Sequence, residues 1–199
     1  MSGTFFSVSL SKNSRGLKMG DISKDVIDRA VKGDIRAFEE IYRKTSAFVY
    51  NVALRITNNC ADADEVMQDV FMKVYRKLGE FNFLSSFKTW VYRIAVNTAI
   101  NYKKTIEKHV TQRSDYDSTL RGVSTKEEAR GNIDKQDKKK QLSVLLDMLN
   151  PNQRACIVLR EIQGLNYKEM ADILRININT VRTRLKRARQ RLVAFAGKR

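Results

Sequence analysis

The chain has 199 residues, enough for one large or two small domains, and carries 38 Lys and Arg against 22 Asp and Glu, a formal net charge of +16. That excess points to a polyanionic partner, nucleic acid before anionic lipid, because no run of about 18 apolar residues is present to cross a bilayer and no direct membrane insertion is expected. One proline and nine glycines favour long helices, and strand-like alternation is hard to find, so the expected fold is all-α, two small helical domains joined by a flexible linker.

Residues 1–23 read as a disordered leader. The opening MSGTFFSVSLSKNSRGLKMG has no charged region leading into an apolar stretch, so it does not read as a secretory signal, and Met19 is an alternative start. The first domain spans 24–108. Apolar residues recur at helical spacing at Ile27, Ala30 and Val31, then Phe38, Ile41 and Tyr42, then Phe48, Val49, Val52 and Ile56. Gly33-Asp34 divides a short helix from a longer one, with Asp34 as N-cap, and Thr57-Asn58-Asn59 ends the second helix. Asp62 is the expected cap of a third helix, ADADEVMQDVFMKVYRKLGEF. A fourth, SFKTWVYRIAVNTAINYKK, ends in Lys103 and Lys104.

From His109 apolar residues thin out and charge alternates, so residues 109–139 read as a linker that cannot bury enough surface to fold alone. The second domain, 140–199, opens with LSVLLDML. Asn150-Pro151 stops that helix, with Pro151 opening NQRACIVLREIQ, which Gly164 ends. YKEMADIL, the turn RIN and INTVRTRLKRARQRLVAF follow.

Cys60 and Cys156 lie far apart, one in a polar turn and one in an apolar run, and read as two reduced thiols. His109 has no second His or Cys beside it. No metal site and no cofactor are implied.

The segment YKEMADILRININTVRTRLKRARQRL has the spacing of a helix-turn-helix. Ala171 falls where the helices cross, and Met170, Leu174, Ile176 and Val181 fall at its apolar contacts. On the last helix Val181, Leu185, Ala188 and Leu192 face inward together, which turns Arg182, Thr183, Lys186, Arg187 and Arg189 outward. Entered N-terminus first into a major groove, such a helix brings Asn179, Thr180, Arg182, Thr183 and Lys186 to base edges and phosphates. The bland alternative is a solvated basic helix, and the register of the preceding helix and turn weighs against it. Arg175 stands where the motif usually has Gly, at a cost of about 1 kcal/mol if its φ is positive.

Taken together, DADEVMQDVFMKVYRKLGEF, SSFKTWVYRIAVNTAINYKK, LNPNQRACIVLREIQGLNYKEMADIL and NTVRTRLKRARQRL resemble the extracytoplasmic-function (ECF) group of bacterial RNA polymerase sigma factors, over roughly residues 24–108 and 140–195. The resemblance implies a non-enzymatic, cytoplasmic subunit that binds core RNA polymerase and directs promoter-specific initiation. The first domain is then like sigma region 2, which docks on the clamp helices of the largest subunit and recognises and melts the minus-ten element. The second is like region 4, which reads the minus-thirty-five element in double-stranded DNA and contacts the flap of the second-largest subunit. Asn179, Thr180, Arg182, Thr183, Lys186, Arg187 and Arg189 become the minus-thirty-five set. Lys88, Trp90, Arg93, Asn97, Asn101, Lys103 and Lys104 become the minus-ten set, meeting the non-template strand. Asn97 lines the pocket for a flipped base, and Trp90 is read equally well as core or as a melting residue. Phe83 and Leu84 depart from the small or acidic residues that relatives often carry in the loop forming that pocket.

Asp62, Glu65, Gln68 and Asp69 make an acidic and polar helix side that should avoid DNA. It reads either as a solvated surface or, by resemblance, as the polymerase-docking face. Members of the group are commonly held inactive by an anti-sigma factor, often membrane-bound. Two rivals are a stand-alone helix-turn-helix regulator, for which no sensor pattern is visible, and a nuclease with Asp62, Asp64 and Asp69 holding magnesium, for which no P-loop or acid–base constellation stands in support.

Overall fold

A computed structural model describes residues 21–114 and 141–196; residues 1–20 of the expected 1–23 leader and most of the expected linker lie outside them. Those residues form helices and no strand: α1 (Lys24–Val31), α2 (Ile35–Thr57), α3 (Cys60–Lys77), α4 (Phe87–Ser114), α5 (141–147), α6 (Pro151–Ile157), α7 (Tyr167–Leu174) and α8 (Ile178–Ala196). The all-α expectation holds.

Local chemistry sets most of the boundaries. Ser23 caps α1, accepting from the Val26 amide at 3.4 Å. Gly33 then takes φ +92°, and Asp34 caps α2 as expected, accepting from the Arg36 and Ala37 amides at 2.9 and 3.2 Å. Asn58 ends α2 in a left-handed conformation (φ 60°), which Asn tolerates better than most residues. The cap of α3 is Asn59 rather than Asp62: its side chain accepts from the Asp62 amide at 3.0 Å. The turn at Asn58 and the extended Asn59 start the helix earlier, so Asp62 sits in the first turn, where its charge still meets the positive end of the helix.

Two other boundaries differ from the sequence expectation. α3 tightens into a 3₁₀ turn at Leu78–Glu80, and α4 continues past Lys104 to Ser114, since no glycine or proline interrupts TIEKHVTQRS. In the second domain Pro151 opens α6 behind an Asn150–Gln153 capping box, as its position at N1 allows. The expected single helix to Gln163 instead widens into a π turn at Val158–Ile162 before Gly164 (φ +70°). That turn keeps Val158 and Leu159 both buried and lets Arg160 Nη1 donate to the Leu165 carbonyl at 2.9 Å.

α2, α3 and α4 pack on one another through Ile41, Val49, Val52, Val66, Val70, Val74, Val91 and Ala95. In the second domain α8 packs on α6 and α7 through Val181, Leu185 and Ala188. The domains also touch: α6 and α7 lie against α4, α6 reaches α2, and the buried apolar residues form one continuous cluster. Cys60 is exposed and Cys156 buried, both unbridged; burial pushes the Cys156 thiol up to about 11.

Candidate nucleic-acid interface

α7 and α8 build the helix-turn-helix from the residues upward. A second capping box, Asn166 with Glu169, starts α7. Met170, Ile173 and Leu174 are buried, Ala171 and Ile176 half-buried. Arg175 adopts φ 52°, ψ 47°, the left-handed angles that a glycine takes without cost, and its N–H closes on the Ala171 carbonyl. Arg175→Gly is therefore expected to stabilise the chain by about 1 kcal/mol. That should raise the melting temperature by about 2–4 °C. Thermal denaturation followed by circular dichroism checks it; an unchanged or lower midpoint would mean that the turn carries no strain.

Asn177 caps α8, accepting from the Asn179 amide at 2.8 Å. Beyond it the expected register is realised. Val181, Leu185 and Ala188 are buried and Leu192 half-buried, while Arg182, Thr183, Lys186, Arg187 and Arg189 are exposed. Arg182 Nη1 donates to Asn179 Oδ1 at 3.1 Å and the Thr183 hydroxyl to the Asn179 carbonyl at 2.9 Å, so the first turn of the helix is a small ordered cluster. Thr180 is half-buried beside it. Arg189 is placed differently from the others: its Nη2 pairs with Glu161 Oε1 at 2.7 Å, and that bond holds its guanidinium more firmly protonated than usual.

On α4 the seven residues of interest do not share one face. Trp90, Arg93, Asn97, Asn101 and Lys104 recur at three- and four-residue steps and form one stripe; Lys88 and Lys103 fall off it. Lys88 Nζ lies 5.8 Å from the centre of the Phe48 ring, a cation–π distance. Trp90 is half-buried in an aromatic cluster, stacked on Phe87 at 5.7 Å and tilted against Phe81 at 5.4 Å, so it is both packed and partly accessible. Tyr92 belongs to the core, edge-on to Phe48 at 4.9 Å. Asn97 donates to the Ile173 carbonyl of α7 at 3.2 Å, a contact across 76 residues that helical periodicity does not report. In the loop before α4, Phe83 has φ 60° and packs tilted against Phe81 at 4.6 Å, Lys24 lies over its ring at 5.3 Å, and Leu84 is 87% exposed.

The acidic side of α3 is held from α4. Tyr102 Oη donates to Glu65 Oε2 at 2.7 Å and lies 3.4 Å from Asp62 Oδ1; desolvation and the two carboxylates push its ionisation upward. Asp62 is half-buried, whereas Glu65, Gln68 and Asp69 are exposed. No group of three His, Cys, Asp or Glu side chains suited to a metal ion occurs among the described residues, and no helix there is long and apolar enough to cross a membrane.

Comparison with known proteins matches the same two stretches. Residues 41–108 match the family model for sigma-70 region 2, and residues 139–192 that for sigma-70 region 4. The RNA polymerase sigma-H factor of Pseudomonas aeruginosa is 30% identical over 176 residues, covering 84% of this chain and 90% of that protein. The ECF RNA polymerase sigma-E factor of Escherichia coli K12 is 31% identical over 175 residues, covering 83% and 89%. Among solved structures, the sigma factor RpoE in complex with the anti-sigma factor NepR from Bartonella quintana is 27% identical, covers 79% of this chain and 95% of that one, and has a TM-score of 0.59. CnrH in complex with the cytosolic domain of CnrY shares the fold at 22% identity and a TM-score of 0.61, covering 89% and 99%. Two sigma modules in order, matched over most of the length of named ECF factors, settle the family: the chain belongs to the ECF group of RNA polymerase sigma factors and serves promoter-specific transcription initiation.

Proposed function

We propose that the chain works as a two-point reader of promoters on core RNA polymerase. The observation that carries this is the presence of two distinct polar surfaces: the basic, outward-facing side of α8 on the helix-turn-helix, and the polar and aromatic stripe of α4 in the first domain. In this reading residues 140–199 take the minus-thirty-five element through Asn179, Thr180, Arg182, Thr183, Lys186, Arg187 and Arg189. Residues 24–108 recognise and melt the minus-ten element, where Arg93, Asn97, Asn101, Lys103, Lys104 and Lys88 hold strand and backbone and Trp90 stacks at the edge of the melted duplex. Residues 109–139 join the two, after a leader over 1–23. No covalent chemistry is involved. The function is differential binding, of promoter over random DNA and of open over closed duplex, and it is exercised in the cytoplasm, where polymerase and chromosome are.

Asp62, Glu65, Gln68 and Asp69 form the docking face for the clamp helices of the largest polymerase subunit, and the second domain meets the flap of the second-largest. Each domain alone makes few contacts, so affinity comes from holding both on one polymerase. An anti-sigma factor is the expected negative regulator, by analogy with the NepR-bound relative.

The direct test is reconstitution with core polymerase and transcription from a promoter library. Initiation at a defined pair of elements at fixed spacing is expected; absence of both co-purification and promoter-dependent transcripts would overturn the proposal. Asp69→Lys separates the two ends of the molecule. Reversing an exposed charge on the docking face should weaken co-purification with core by about tenfold, roughly 1.4 kcal/mol. Binding of the second domain to minus-thirty-five duplex should be untouched. Normal co-purification would remove Asp69 from the docking face.

A further inference from the structure

The outward side of α8 carries arginines held in two different ways. Arg182 Nη1 donates to the neutral Asn179 Oδ1 at 3.1 Å, a bond that it can keep while its other donors meet a duplex. Arg189 Nη2 donates to the Glu161 carboxylate at 2.7 Å, with the Tyr167 side chain beside it. Arg182, Lys186 and Arg189 stand four and three positions apart, so they share one side of the helix. They lie along a single groove of about 510 Å³, which Tyr167 and Val193 also line.

The place of Arg189 on that side decides what it can touch. It is seven residues beyond Arg182, about 10 Å farther from the helix end that enters a major groove first. A side chain there meets phosphate rather than base edges, and a phosphate contact is the same for every sequence.

Glu161 therefore competes with DNA for one guanidinium. Both side chains of the pair are about half exposed, so a phosphate can approach. To take Arg189 it must break a charge-assisted bond and leave an uncompensated carboxylate beside its own charge. Random duplex has no base contacts to offset this, because its whole hold on a protein is of the phosphate kind. The turn that carries Glu161 is itself fastened. Arg160, its neighbour in the π turn, donates to the Leu165 carbonyl at 2.9 Å and lies 5.2 Å from the centre of the Tyr167 ring. The backbone behind the carboxylate is thus anchored to the start of α7.

We infer that Glu161 limits sequence-independent DNA binding by withholding Arg189 from the phosphate backbone. It acts through Arg189 and not on DNA itself, so it is a positioning residue for the helix that faces the duplex. In a chain of net charge +16 such a brake has a use, since bulk DNA competes with every defined site. The inference rests on the reading of α8 as the DNA-facing helix; it does not depend on which promoter element that helix reads.

The test uses the full chain, in which Arg182, Lys186 and Arg187 are exposed, with a labelled random-sequence duplex. Binding is measured by fluorescence anisotropy at several salt concentrations. Glu161→Gln removes the charge and keeps the shape, so Arg189 is no longer held by a carboxylate. It should tighten binding at low salt by about threefold, the size of one exposed charge contact, and steepen the salt slope by about one unit. In an Arg189→Ala background the same substitution should change neither quantity, because the released cation is gone. A merely structural role for Glu161 would lower the melting temperature and leave the slope alone; the midpoint should instead stay within about 2 °C of the parent. No tightening by Glu161→Gln would overturn the inference. So would an equal gain with and without Arg189, which would mean that Glu161 repels DNA directly. Failure of the underlying reading shows itself separately: Arg182→Ala combined with Lys186→Ala would then leave duplex binding unchanged.

Discussion

Replacing Arg182 and Lys186 together by alanine should lower transcription from a cognate promoter about 100-fold and flatten preference at the minus-thirty-five element. The figure follows from two specific contacts of about 1.4 kcal/mol each, within the range for a well-made arginine or lysine contact to a base edge. The geometry supports so large an effect. Both side chains are exposed, and Arg182 is ordered in advance by its bond to Asn179, so less side-chain freedom is lost on binding. Neither is part of the core, so the double variant should melt within about 0.5 kcal/mol of the parent. Affinity for minus-thirty-five duplex, measured at several salt concentrations, should also lose about one unit of slope for each phosphate contact removed.

Arg189→Ala is the internal control. Its guanidinium is already engaged by Glu161, so removing it should cost DNA affinity much less than removing Arg182. Equal losses from Arg182→Ala and Arg189→Ala would mean that α8 meets DNA through diffuse charge rather than through a defined reading edge. Full retention of promoter preference in the double variant would remove these two residues from recognition altogether.

The elements most readable in the sequence were those fixed by chemistry within a few residues. Asp34 caps α2 because its carboxylate meets amides two and three positions on, and Pro151 opens α6 because N1 needs no N–H. The apolar register of α8 is a period that one turn of helix enforces, and the positive φ of Arg175 was visible as a departure from the glycine usual in such turns. What escaped was set by contacts over long separations. Arg154 sits in an apolar run and looks like a surface exception, yet its partners lie 98 and 97 residues away at the end of α2. Tyr102 supports Glu65 across 37 residues, and Asn97 reaches Ile173 across 76. Helical periodicity reports which face is buried but not what lies against it, so Asn97 was legible as a polar position on α4 and not as a cap for α7. Asn59 was missed for a nearer reason: three polar residues in succession offer several caps, and the left-handed turn at Asn58 decides among them.

Leu185→Ala should lower stability by about 2–5 kcal/mol, the range for truncating a fully buried leucine. Its neighbour Lys186→Ala should change it by no more than about 0.5 kcal/mol. Leu185 is 1% exposed, on the buried face that seats α8 against α6 and α7, and the loss of its side chain leaves a cavity that rigid helices cannot wholly close. For a chain of this size the melting temperature should fall by roughly 4–20 °C. Leu185→Met, nearly matched in volume, should cost less than about 1.5 kcal/mol and rescue most of the loss. The adjacent pair separates the two ways in which α8 can fail. Loss of Leu185 harms DNA binding through the position of the helix, so affinity should recover on cooling well below the new melting point. Loss of Lys186 removes a contact, so its deficit should persist at every temperature at which the chain is folded. If Leu185→Ala proved as harmless as Lys186→Ala in thermal melts, the inward register of α8 would be wrong, and with it the assignment of Arg182, Thr183 and Lys186 to the face that meets DNA.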